Sequence, residues 1–156
     1  MTNDSSPSSD GIDLDIVRIV WQAENAIDRA LDRALAPLGL TTTMQGTLRL
    51  IADQPGISAA DLARSARVRP QTIAPALARL EKRGLLRRTP HPIHGRVIQL
   101  WITEAGRQAL RSASAVLATF EDALTGHLAA TERKHLMAQL QDLRYRAEAW
   151  EREASR

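Results

Sequence analysis

Apolar residues recur every three to four positions between Asp13 and Ala36, at Ile16, Val20, Ala23, Ile27, Ala30 or Leu31, and Ala34 or Leu35. That spacing predicts a long amphipathic helix, closed by Pro37 and Gly39. A second helix is expected to start near Thr42, where Thr42-x-x-Gln45 has capping-box form, and to stop at the Pro55-Gly56 turn. Ser58-x-x-Asp61 then caps a short third helix reaching about Ala66, and Pro70 opens a fourth that runs to Arg83 before Gly84. Beyond Gly84 the period changes, because the run Val97 to Ile102 is β-branched, aromatic and alternating, as a strand is. Leu85 to Thr89 can pair with it, and Pro90 to Gly95, with two prolines, suits an exposed hairpin tip. Thr103 caps a long helix striped with Ala109, Ala113, Val116 or Leu117, Phe120 and Leu124. A last helix begins near Thr131 and carries Leu136, Leu140, Leu143, Ala147 and Trp150.

The chain has 156 residues, 44% of them apolar and 25% charged, which is enough for one domain with its own core. Charges interrupt every apolar window, so a transmembrane helix is excluded. With no cysteine there is no disulfide framework, thiolate metal site or thiol switch. Met1 to Gly11 is rich in Ser and Asp and lacks a basic start and an apolar stretch, so residues 1–11 are expected to be a disordered lead in a cytoplasmic protein.

The net charge of +3 conceals a strong asymmetry. Met1 to Asp61 holds 4 basic and 9 acidic residues, Leu62 to Arg111 holds 11 basic and 2 acidic, and Ser112 to Arg156 holds 6 basic and 7 acidic. The segments therefore carry −5, +9 and −1. A basic middle between acidic flanks is the footprint of a surface that binds a polyanion. It coincides with the helix pair and the ribbon, whose order is that of a winged helix-turn-helix, with Pro70 to Arg83 as the recognition helix. The expected fold is mainly α with a small β-wing.

Several short motifs then fall in a specific order: Leu40-Thr41, Ser58-x-x-Asp61-Leu62-Ala63, Val68-x-Pro70-x-Thr72-Ile73, Leu80-Glu81-x-x-Gly84-Leu85 and Ile102-Thr103-x-x-Gly106. With this order and spacing, and with a long helix before and two after, the chain resembles the multiple-antibiotic-resistance regulator (MarR) family of bacterial transcription factors. The resemblance covers nearly everything after residue 12 and implies a homodimer whose first and last two helices interlock. The broad apolar stripes on those helices, too extensive for 156 residues to bury alone, point the same way. Residues 12–39 and 104–154 would be dimerisation helices, and residues 40–103 the winged DNA-binding domain. Two-fold symmetry predicts a pseudo-palindromic operator in double-stranded DNA, with half-sites about one helical turn apart. The resemblance further implies a repressor released by a small aromatic or phenolic ligand held non-covalently.

The expected DNA contacts are Arg69 just before the recognition helix, Gln71, Thr72 and Arg79 on it, and Arg87, Arg88, His94 and Arg96 on the wing. Gln pairs bidentately with adenine and Arg with guanine, whereas Thr more often positions a phosphate. Ile73, Leu77 and Leu80 stand at core spacing and are assigned to packing, and Pro75 removes only a local helix bond to about residue 71. Arg64, Arg67, Arg69, Arg87 and Arg88 are expected to meet mainly phosphates. Most family members carry Asp-x-Arg in the wing; here His94-Gly95-Arg96 keeps the minor-groove arginine and puts a titratable histidine where the aspartate would be. For the ligand, Trp21 and Asn25 with Arg18 as carboxylate partner are candidates, although the same residues would serve in dimer packing.

Enzymatic function is disfavoured: the chain lacks a phosphate-cradling Gly loop, a Gly-x-Ser-x-Gly elbow and His-Glu-x-x-His. No cofactor is implied. His91-x-x-His94 offers at most half of a tetrahedral metal site, so no metal is assigned. A nonspecific architectural DNA-binding protein is the competing reading, since a basic block would serve it equally.

Overall fold

The computed structural model describes residues 15–93, 95 and 97–154; the expected lead at residues 1–11 and the wing residues His94 and Arg96 lie outside them. In chain order the elements are α1 (Asp15–Leu35), a 3₁₀ turn (Ala36–Leu38), α2 (Thr42–Asp53), α3 (Ala59–Ser65), α4 (Pro70–Lys82), β1 (Leu86–Pro90), β2 (Ile98–Ile102), α5 (Glu104–Thr125) and α6 (Ala130–Ala154). The chain divides into two compact units between Ala113 and Ser114, so α5 begins in one and ends in the other.

In the first unit, α2, α3 and α4 close around Leu48, Ile51, Leu62 and Leu80, and the antiparallel ribbon adds Leu86 and Leu100 from its inner face. Ile73, Ala76, Leu77 and Leu80 bury one side of α4, as their spacing predicts. Pro70 is at its first turn, and Pro75 is accommodated on the exposed side within the helix. Ser58 caps α3 by accepting from the Asp61 N–H at 3.1 Å, and Thr103 caps α5 by accepting from the Gly106 N–H at 3.0 Å. The Thr103 hydroxyl also donates to the Gly84 carbonyl at 2.7 Å. Gly106 is buried against the Leu85 carbonyl, so the start of α5 lies on the ribbon at a distance only glycine allows.

Two boundaries differ from the sequence expectation. The N-cap of α2 is Thr41, not Thr42: its hydroxyl accepts from the Met44 N–H at 3.2 Å. Thr42 is instead held by Asp32 of α1, whose Oδ1 accepts its N–H at 2.6 Å and its hydroxyl at 2.7 Å. Pro90 belongs to strand β1 and not to the hairpin tip. The ladder explains this. Thr103 donates to Leu85 at 3.1 Å and His91 to Val97 at 2.8 Å, so Pro90 faces Ile98 in a non-hydrogen-bonded pair where its missing N–H breaks nothing.

Much of α1 is uncovered, with Ile16, Val17, Ile19, Val20, Trp21 and Ile27 all exposed and Leu35 its buried residue. In the second unit, the end of α5 and α6 line a largely apolar groove of about 310 Å³ that includes Leu136, Met137 and Leu140. Leu143, Tyr145 and Trp150 continue the exposed apolar surface along α6.

Candidate nucleic-acid interface

The turn between α3 and α4 sets how α4 is presented. Ser65 ends α3, Arg67 takes a left-handed φ of 54°, and Arg69 serves as N-cap of α4 in extended backbone. The Val68 N–H reaches back to the Ala63 carbonyl at 3.0 Å, so the turn is tight. Arg69, Gln71, Thr72 and Arg79 all emerge on exposed surface. Among the described residues, none of these four side chains makes a hydrogen bond or ion pair with the rest of the chain. Such side chains retain their full bonding capacity for a partner, and Arg69, Gln71 and Thr72 stand at the helix N-terminus, where backbone N–H groups also favour an anion.

Thr72, Pro75 and Arg79 share one flank of α4 and line a polar cleft of about 250 Å³ with Asp32, Thr41 and Thr43. Asp32 carries a pKa below the ordinary carboxylate range, first because the Thr42 N–H bonds its ionised oxygen and second because the Thr42 hydroxyl does. The carboxylate therefore stays charged beside the recognition helix.

The ribbon arginines are arranged differently from one another. Arg87 lies over the ring of Trp101, 5.5 Å from its centroid, directly across the ladder. Trp101 is itself fixed by donating its Nε1–H to the Thr89 hydroxyl at 2.9 Å. Arg88 donates from Nε to Glu81 of α4 at 2.8 Å, tying the ribbon to the recognition helix. Arg64 is paired with Asp61 at 2.6 Å. The +9 block thus contains stacked and paired arginines beside uncommitted ones, a division that charge alone does not reveal. Glu81 and Trp101 carry no sequence signal of a role in the site. Their partners lie seven and fourteen positions away, reachable only through the ladder register and the packing of the ribbon on α4.

The candidate ligand residues share one face of α1. Arg18 is ion-paired with Asp15 on the preceding turn, Trp21 is exposed, and the Asn25 amide donates to the Trp21 carbonyl at 2.7 Å. His91 accepts from the Ile93 N–H at Nδ1, 3.2 Å away.

A three-helix core, a tight turn before an exposed helix and a two-stranded ribbon carrying arginines define a winged helix-turn-helix DNA-binding protein. The family model described as MarR family matches residues 40–98, which run from just before α2 to the first residue of β2. A curated relative, the HTH-type transcriptional repressor Rv2887 of Mycobacterium tuberculosis strain H37Rv, is 34% identical over 110 residues, covering 70% of this chain and 79% of the relative. Among solved structures, the transcriptional repressor CouR bound to a 23-mer DNA duplex aligns with a TM-score of 0.75 at 28% identity, over 80% of this chain and 89% of that one. Rv2887 of Mycobacterium tuberculosis in complex with p-aminosalicylic acid aligns with a TM-score of 0.66 at 28% identity, over 81% and 95%. The chain belongs to the MarR family, whose members are transcription regulators and not enzymes. Among the described residues, no helix is long and apolar enough to cross a membrane.

Proposed function

We propose that the protein is a homodimeric, sequence-specific repressor that binds a pseudo-palindromic operator and is released by a small aromatic acid. The observation that carries this reading is the set of four exposed, uncommitted side chains at the N-cap of α4 and along it, namely Arg69, Gln71, Thr72 and Arg79. Gln71 and Arg79 supply base readout, and Arg69 and Thr72 bond phosphates. Arg87, placed over Trp101, offers its guanidinium to the backbone of the duplex, and Arg88 contributes while anchored to Glu81. Arg96 of the wing would enter the adjacent minor groove, with His94 as a further contact at the DNA surface.

Dimerisation is supported by the uncovered apolar faces of residues 12–39 and 104–154, the segments assigned to the arms. Six large apolar side chains of α1 and seven from Leu124 to Trp150 face solvent, more than a monomeric protein commonly leaves in contiguous patches. A second copy covering them would place two α4 helices one DNA turn apart. A relative bound to p-aminosalicylic acid and another bound to a duplex support the two liganded states. The face of α1 that carries Arg18, Trp21 and Asn25 is the proposed place for the carboxylate of the ligand and its ring.

Footprinting on the intergenic DNA beside the coding sequence tests this reading, with and without aromatic acids such as p-aminosalicylate. A protected palindrome about two turns long that is lost on adding the acid supports it. Uniform, unlocalised protection contradicts it and favours the architectural alternative.

A further inference from the structure

Arg83 belongs to the basic block by sequence, yet its guanidinium is committed to the backbone of its own chain. Nη2 donates to the Leu38 carbonyl at 2.9 Å, and Nη1 donates to the Gly39 carbonyl. Arg83 is the C-cap of α4, and the two carbonyls end the short turn that joins α1 to α2. A rigid guanidinium fork suits two successive carbonyls as a single ammonium does not.

The acceptor side is built for this contact. Gly39 has φ of 64°, which favours glycine, and a Cβ there would lie 2.9 Å from each terminal guanidinium nitrogen. The turn is otherwise closed by Gly39 N–H to Ala36 at 2.8 Å and by Leu40 N–H to Leu35 at 3.3 Å. The clamp from Asp32 to Thr42 spans the same stretch, at 2.6 and 2.7 Å. The connection between α1 and α2 is therefore fixed along its length, and the far end of α4 is fastened to it.

We infer that Arg83 is a positioning residue that sets the recognition helix relative to α1, so that the posture of the arm reaches α4 through Leu38 and Gly39. This rests on the reading of α4 as the DNA-reading helix. Arg83 does its work without touching a phosphate, which separates it from Arg69 and Arg87.

The test is a salt series of affinities for the protected upstream fragment and for a random duplex of equal length. It uses the full chain and its Arg83→Ala, Arg83→Lys and Gly39→Ala variants, the double variant, and Arg69→Ala as phosphate control. Each protein is measured below its unfolding transition. Arg83→Ala is expected to lower the specific-to-random ratio about tenfold, leaving random-duplex affinity and the salt slope unchanged. Arg83→Lys should not restore the ratio, Gly39→Ala should reproduce the loss, and the double variant should lose no more than the worse single one. Arg69→Ala, which removes one phosphate contact from each subunit of the proposed dimer, should lower the slope by about 1.8. A slope lowered by Arg83→Ala as well, or a ratio unchanged in both Arg83→Ala and Gly39→Ala, overturns the inference. Absence of any preference in the parent protein contradicts the DNA-reading role of α4 itself, and is distinguishable because the parent alone shows it.

Discussion

Asp32, in the last turns of α1, accepts both the N–H and the hydroxyl of Thr42, at 2.6 and 2.7 Å, and so caps α2 from another helix. Asp32→Ala is expected to cost about 1–2 kcal/mol, the range for a cap bonded by a charged group at a half-buried position. The folded pKa of Asp32 lies below its ordinary 3.8, so its contribution is fully present above that value and is lost as pH falls through the lower folded value. Asp61 and Glu104 are lowered too, by the Ser58 hydroxyl and by Arg111 in the first place, so the parent loses stability toward acid from several sites. Urea unfolding of parent and Asp32→Asn across the acid range isolates the contribution of Asp32: the gap between them should narrow as pH drops below 3.8. A constant gap would refute it.

Two glycines should respond in opposite directions to alanine. At Gly106 a Cβ would collide with the Leu85 carbonyl and sit 2.7 Å from Ile102 Cγ1, so Gly106→Ala is expected to destabilise by about 1–3 kcal/mol. At Gly46, inside α2, nothing lies within 4 Å, and Gly46→Ala should stabilise by up to about 1 kcal/mol. Thermal unfolding of the two variants checks both signs.

Charge on the exposed apolar face of α6 should dissociate the proposed dimer. Leu140 is 49% exposed and Leu136 40% exposed in the single chain, which leaves room to place a carboxylate without disturbing a folded core. Sedimentation of Leu136→Glu/Leu140→Glu is expected to give a folded monomer with greatly reduced operator affinity. A dimer of unchanged affinity would remove α6 from the interface.

The contact between Arg88 and Glu81 should matter for DNA and little for folding. It is a partly exposed ion pair of 2.8 Å, a kind that contributes about 0–1 kcal/mol to stability. Glu81→Gln is therefore expected to leave thermal stability within that range while loosening the ribbon against α4. The measurement is the specific-to-random affinity ratio, which should fall; a large drop in melting temperature with an intact ratio would contradict this role.

The order of elements was legible because each rests on local signals. Pro70, the Ser58 and Thr103 caps and the apolar spacing of Ile73, Leu77 and Leu80 are all interpretable within one or two helical turns. The shift of the α2 cap from Thr42 to Thr41 was not legible, because the competing acceptor, Asp32, sits ten positions upstream on another helix. The place of Pro90 is illegible for a related reason: whether a proline interrupts a ladder depends on the register, which the hairpin sets and composition does not. Among the arginines, sequence reveals the charge but not its commitments. Arg83 bonds carbonyls 44 and 45 positions away, Arg88 pairs with Glu81 and Arg87 lies on Trp101, whereas Arg69 and Arg79 remain available.

The most direct test of the central claim is a competition titration of the parent protein between its own upstream DNA and random duplex at one physiological salt concentration, repeated with Gln71→Ala. The account predicts a preference of about 10³-fold or more for the upstream DNA. It also predicts that Gln71→Ala loses about 1–3 kcal/mol of that preference per half-site, with random-duplex affinity unchanged. A parent ratio near one would contradict it.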